Sequence, residues 1–247
     1  MKKSLLLLTF FAIICGAKTN AAITEIAHEN KIETAINHSK WNELLQKHVS
    51  SKGNVDYKGF KKDALALQSY LDLLAKNTPE KSWSKNAVLA YWINAYNAFT
   101  VKLILDNYPI KSIKKINGPW DKEFFALGGK KYSLGEIEHK ILRKMNEPRI
   151  HFAINCASFS CPNLANEAYT EAELEKQLSR AAKSFLNDAS KNAISANKAE
   201  LSQIFDWFSD DFKKNGTLID FINKYSLVKM DDNAKISFKD YNWNLNE

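Results

Sequence analysis

Cysteine is scarce in this sequence: three residues in 247, one of which, Cys15, falls in an N-terminal apolar run. Only Cys156 and Cys161 remain for the body of the chain. In an oxidising compartment that pair suits a disulfide, so the count alone does not make either a free thiol. Repeats, low-complexity tracts and an interdomain linker are absent, and a single domain over residues 22–247 is the simplest account. Beyond the N-terminus no apolar run is long enough to serve as a second membrane-crossing segment, so no span is expected once a leader is removed. A clustered basic face is also missing, which argues against a nucleic-acid partner.

What is present begins with an export signal. Met1-Lys2-Lys3 is a short positive segment, Ser4 to Ala17 is apolar without a charge, and small residues follow at Gly16, Ala17, Ala21 and Ala22. This pattern fits a cleavable signal over residues 1–21 and a periplasmic or secreted protein. Ile14 precedes Cys15 where a lipoprotein signal wants a small residue, so Cys15 leaves with the leader. Removing residues 1–21 takes away Lys2, Lys3 and Lys18 and no acidic residue, which lowers the net charge from +7 to +4.

The periodicity predicts a mostly helical α+β domain with a small sheet. Helices are expected over 22–50, with Ile32, Ile36, Trp41, Leu44 and Leu45 on one face, over 65–74, and from Lys85 to Leu105 behind Ser84. The last is apolar all round and therefore buried on most sides. Gly128-Gly129 joins two short strands. Capping boxes at Ser133/Glu136 and Thr170/Glu173 open helices over 134–145 and to Leu186. Arg149 to Asn155 alternates as a strand, and Leu201–Phe212 and Thr217–Tyr225 read as further helices. His28, His38 and His48 read as surface residues.

The most unusual stretch is Arg149-Ile150-His151-Phe152-Ala153-Ile154-Asn155-Cys156-Ala157-Ser158-Phe159-Ser160-Cys161-Pro162. As a strand it sets Arg149, His151 and Asn155 on one face and leads them into a cysteine loop. Cys161 before Pro162 stands where a helix N-terminus favours thiolate. A thiol nucleophile also needs a base, here His151 or His139, and a group to orient it, with Glu138, Asn94, Asn97 and Asp121 as candidates. Arg149 and Arg143 suit a substrate carboxylate, with Asn155 and Ser158 near the thiol. Asn94 and Asn97, one turn apart in the buried helix, either fix a neighbouring loop or line a pocket. Trp120-Asp121 with Phe124-Phe125 reads as core or as a pocket wall. The cysteine and histidine spacing matches no familiar zinc pattern, and neither metal nor cofactor is expected.

Several separated motifs carry a resemblance. They are Trp92-Ile93-Asn94-Ala95-Tyr96-Asn97-Ala98, Ser133-Leu134 with Ile137-Glu138-His139 and Ile141-Leu142-Arg143, Pro148 to Ala153, Cys156-Ala157-Ser158 and Ser160-Cys161-Pro162. Val55-Asp56-Tyr57 and the tail Tyr241 to Asn246 agree as well, with Asn242 and Asn244 standing where Asp and Ser are expected. Together they resemble the Domain of Unknown Function 547 family. That resemblance implies export, common among its bacterial members, and no assigned activity. The coiled coil beside the domain in plant members leans toward protein interaction. The order of elements is loosely similar to papain-like and transglutaminase-like folds, but here the cysteines follow the His-bearing segment instead of opening the buried helix.

Two functions stand in competition, and a redox-active Cys156–Cys161 pair comes third, disfavoured because four residues and not two separate the cysteines. One is a thiol-dependent hydrolase or acyl-transferase on a peptide-like or amide substrate, with Cys156 as nucleophile. The other is a binding domain for a small peptide-like ligand or a protein partner, with a Cys156–Cys161 disulfide shaping its recognition loop.

Overall fold

The computed structural model describes residues 36–247. The expected leader at 1–21, His28 and Ile32 lie outside the described residues. Four helices build the larger core: α1 (Ser39–His48), α2 (Tyr57–Lys62), α3 (Ala64–Lys76) and α4 (Lys85–Asn107). Ser84 begins α4 by accepting a hydrogen bond from the Ala87 amide. Contrary to the expectation that no second apolar run is long enough, α4 is, among the described residues, the one helix long and apolar enough to cross a membrane, and it is buried in the core. Trp41 of α1 stacks on Tyr70 of α3 with centroids 5.7 Å apart. His38 and His48, expected at the surface, are both buried. His38 Nδ1 meets the Tyr70 hydroxyl at 2.7 Å and His48 Nε2 meets Asp63 at 2.6 Å, so each imidazole has a partner that compensates burial.

The Gly-Gly hairpin forms as expected. Strands β1 (Phe125–Leu127) and β2 (Lys130–Tyr132) pair antiparallel around Gly128 and Gly129, both at positive φ. The Glu136 amide then donates to Ser133 Oγ at 3.1 Å, while the Glu136 carboxylate turns to Lys130. The following helical segment is irregular: a π turn over Glu136–Ile141 runs into a 3-10 turn over Leu142–Met145. A π turn widens the helix and redirects the side chains on it, here Glu138 and His139.

The strand expected over Arg149–Asn155 is a 3-10 helix, Pro148–Phe152. Glu147 accepts from the Arg149 amide, Pro148 supplies a helical φ, and the amides of Ala153 and Ile154 both return to the Ile150 carbonyl. Arg149, Ile150, His151 and Phe152 are all buried, so the alternation in the sequence does not mark an inside and an outside. Ile150 joins the larger core and Phe152 a second one. The His-bearing strand that a papain-like arrangement asks for is therefore replaced by a turn.

The second core is rich in phenylalanine, with Phe152, Phe185, Phe205, Phe212 and Phe221 in mutual contact. It is walled by α5 (Leu174–Leu186) and α8 (Leu218–Tyr225), and by a small sheet in which β4 (Lys198–Leu201) lies between β3 (Ala193–Ile194) and β5 (Lys235–Phe238). Helix α5 starts at Leu174 without the expected Thr170 cap, and the Thr170 amide donates to Gln177 Oε1. The helix expected over 201–212 is divided: Leu201 ends β4, and α6 (Ile204–Trp207) and α7 (Ser209–Phe212) follow. Helix α8 carries a complete Thr217/Asp220 capping box. The result is a mostly helical α+β chain in which the cysteine loop runs between two cores.

Candidate active site

Three asparagines hold the loop that carries Cys156. Asn97, on the buried helix α4, donates to the Ala153 carbonyl at 2.9 Å and accepts from the Asn155 amide at 2.8 Å. Asn155 donates to the Pro162 carbonyl at 2.7 Å and accepts from the Ala157 amide at 2.9 Å, tying the two ends of the loop together. Asn246 in the C-terminal tail reaches Asn155 Oδ1 at 3.3 Å and also accepts from the Tyr57 hydroxyl. One turn away from Asn97, Asn94 has the same role and clamps both backbone groups of Tyr169. The two amides of α4 thus fix loops, and neither lines the cavity described below.

Held this way, Ala157 sits at φ 54°. A left-handed alanine is strained by roughly 1–2 kcal/mol, and the asparagine clamps compensate it directly beside a cysteine. The tail crosses the same loop, with the amides of Phe159 and Ser160 donating to the carbonyls of Asn244 and Asn242.

Cys156 and Cys161 are free thiols, so the disulfide expected as one alternative is not formed. Their Sγ atoms share a hydrogen bond at 2.6 Å, and the Cys156 amide donates to Cys161 Sγ at 2.8 Å. Cys156 Sγ also meets the Ser158 hydroxyl at 3.1 Å and that of Tyr241 at 3.3 Å. Burial works to raise the Cys156 pKa, but hydrogen bonds from Cys161, Ser158 and Tyr241 outweigh it and leave it below the ordinary thiol value. Cys161 moves the other way: burial and the neighbouring Cys156 push it well up. No helix begins after Cys161, so the helix-dipole effect expected there does not operate.

Cys156 opens onto a cavity of about 190 Å³ between the two cores. Trp120, Trp207, Phe208, Tyr241 and Trp243 wall it, and Glu138, His139 and His151 share it with both cysteines. The rings support one another, with Tyr241 and Trp243 centroids 4.5 Å apart and Tyr241 and Trp207 4.8 Å apart. The four side chains expected to do chemistry, Cys156, His151, His139 and Glu138, therefore meet around one space, although 138–139 and 151–156 come from different turns.

His151 is buried and stacked on Phe208 at 4.0 Å. Its Nε2 bonds Asp211 Oδ2 at 2.9 Å, while its Nδ1 is buried without a partner. Burial lowers its pKa and the Asp211 carboxylate only partly restores it, so the imidazole is neutral near neutral pH. Asp211, held far below the carboxylate range chiefly by His151 against an opposing burial effect, is also bonded by Arg143 Nε at 2.6 Å. Glu138 accepts from the Tyr96 hydroxyl at 3.2 Å. Burial raises its pKa to about 7 against the pull of Tyr96 and Arg143. His139, lowered mainly by burial, sits 3.3 Å from Arg143 through Nδ1.

The expected anchors fall elsewhere. Arg149 is buried against Glu147, Glu175 and Ser179, away from the cavity. Arg143 gives its charge to Asp211, so the His139–Arg143 corner is not an open anion site. Trp120 does form a wall, whereas Phe124 and Phe125 pack on Phe99. Asp211, Trp207 and Phe208 were not legible as site residues: they lie in an ordinary amphipathic stretch, and only the fold delivers them. Tyr241 and Trp243 had a signal, since both belong to the tail motif of the resemblance. Among the described residues no group of three His, Cys, Asp or Glu side chains is placed to hold a metal ion.

No curated protein and no solved structure matches the chain. Residues 80–186, which run from just before α4 to the end of α5 and include Glu138, His139, His151 and both loop cysteines, match the family model described as protein of unknown function, DUF547.

Proposed function

We propose that the chain is an exported thiol-dependent hydrolase or acyl-transferase acting on an amide or peptide-like substrate with an apolar side group. The observation that carries this reading is the convergence of Cys156, His151 and Glu138 on one aromatic cavity, with His151 Nδ1 left free. Cys156 as thiolate attacks the substrate carbonyl carbon, forming a thioester as the C–N bond breaks. The leaving amine takes a proton from Glu138, which holds one near neutral pH because it is buried. Water or an acceptor amine then attacks the thioester and loses its proton to His151 Nδ1, Cys156 leaves as thiolate, and the proton on His151 passes back to Glu138 by way of solvent, while Asp211 holds the imidazole tautomer through Nε2–H. The apolar walls suit an aromatic or aliphatic substrate group. The basic and apolar leader pattern of residues 1–17 supports export.

The test is turnover of a panel of aryl esters and amides bearing apolar acyl groups, with mass analysis of the peptide spanning Cys156. An acyl adduct on Cys156, and a fall of on the order of a thousandfold or more in Cys156→Ala, is the expected outcome. Binding of the same compounds without turnover or adduct would replace this reading with a binding domain.

A further inference from the structure

Among the described residues neither cysteine takes a histidine as hydrogen-bond partner: Cys156 Sγ is bonded to Cys161 and to the hydroxyls of Ser158 and Tyr241, and Cys161 Sγ to the thiol and amide of Cys156. The two thiols are also unequal. Both line the cavity, but Cys156 is half-buried whereas Cys161 is buried. The asparagine clamps on Asn155 and the Ser158 carbonyl bond to the Cys161 amide fix the loop between them. A sulfur–sulfur bond is about 2.05 Å long, so closing the 2.6 Å contact takes a movement of about half an ångström.

We propose that Cys156 and Cys161 form a dithiol–disulfide couple that exchanges with a disulfide flanked by apolar groups, Cys156 attacking and Cys161 resolving. In the first step Cys156 thiolate bonds to one sulfur of the substrate disulfide, the substrate S–S bond breaks, and its other sulfur leaves as thiolate. Cys161 then loses its proton to that departing thiolate and attacks Cys156 Sγ. The mixed disulfide breaks, the second substrate sulfur leaves, and a Cys156–Cys161 disulfide remains. The substrate is reduced by two electrons and the pair oxidised by two. The Cys156 amide, already aimed at Cys161 Sγ, stabilises the resolving thiolate as its proton leaves. The lowered pKa of Cys156 and the raised pKa of Cys161 match attacking and resolving roles. The aromatic walls accept the apolar flanks. The couple shares Cys156 with the acyl-transfer reading but does not require it.

The experiment uses the reduced full chain with Cys15→Ser and the neutral aromatic disulfide dithiodipyridine as probe. The couple predicts release of two thiopyridones per protein and a Cys156–Cys161 disulfide in the peptide map. Cys161→Ser should release one and keep the probe on Cys156. A stable mixed disulfide on Cys156 of the parent, or first attack by Cys161, overturns the proposal without recourse to the variant. Aryl ester turnover by the parent separates the two readings. A Cys156–Cys161 disulfide formed in a parent that turns over no ester sinks the acyl-transfer reading alone, whereas ester turnover in a parent that forms no such disulfide sinks the couple alone.

Discussion

Arg149 and His151 stand two residues apart on one 3-10 turn, and their surroundings are opposite. Arg149 commits its guanidinium to Glu147 at 2.7 Å, to Glu175 at 2.6 and 2.8 Å and to Ser179 at 3.0 Å. His151, more deeply buried, lines the cavity, uses Nε2 on Asp211 and has Nδ1 without a partner. A satisfied buried cation is a structural tie; a buried imidazole nitrogen without a protein partner marks a candidate site group. The same contrast separates the asparagines of α4, each bonded through both amide atoms, from Glu138, whose proton is kept by burial. On the turn that carries Arg149 and His151, hydrogen-bond satisfaction separates a structural tie from a candidate site residue, whereas Trp41 Nε1 and Ser226 Oγ, away from the cavity, are also buried without partners.

That division is open to attack at several points. The largest effect after loss of the thiol is expected from Asp211→Asn, which removes the anion that fixes the His151 tautomer. Turnover should fall about 10²–10⁴-fold, mainly in kcat, and the acidic limb of the pH profile should shift. An unchanged profile would make Asp211 a structural residue like Glu147.

Glu138 offers a test through stability. Its folded pKa, about 7, lies above its ordinary value, so the folded state holds a proton that the unfolded chain has released. Stability should therefore fall as pH rises from about 4.5 to 7 and level off above that, by on the order of 3 kcal/mol at most. Glu138→Gln should abolish this slope and be more stable than the parent at pH 8, as measured by chemical denaturation. A variant less stable at that pH would show that the carboxylate is itself a tie.

Arg149→Met is the control on the scaffold side. It strands Glu147 but leaves Glu175 largely in solvent, so the loss should be modest, about 1–3 kcal/mol. The reactivity of Cys156 should stay within about twofold of the parent if Arg149 supports the turn alone. A larger change in reactivity would tie Arg149 to the site.

Much of this was legible in the sequence where local rules decide. The Ser84 cap, the all-round apolar α4 and the Gly-Gly hairpin follow from short-range chemistry and stand as expected. The turn at Pro148–Phe152 does not, because its alternation arises from residues buried in two different cores. Strands β3, β4 and β5 escaped because they are two to four residues long and their parallel pair joins residues far apart in the chain. Cys156, His151, His139 and Glu138 were visible as residue types that chemistry uses. Their meeting depends on a π turn, and Asp211 and the ring walls Trp207, Phe208, Tyr241 and Trp243 come from outside residues 80–186.

Cys156 as an activated thiol facing a cavity is the centre of both functional readings. The most direct measurement is the pH dependence of its alkylation by iodoacetamide in the reduced protein, with each site located by peptide mapping. Cys156 should react first, with a midpoint below the ordinary thiol value of 9.0, while Cys161 stays protected. A midpoint at or above that value, or alkylation of Cys161 ahead of Cys156, would contradict that assignment.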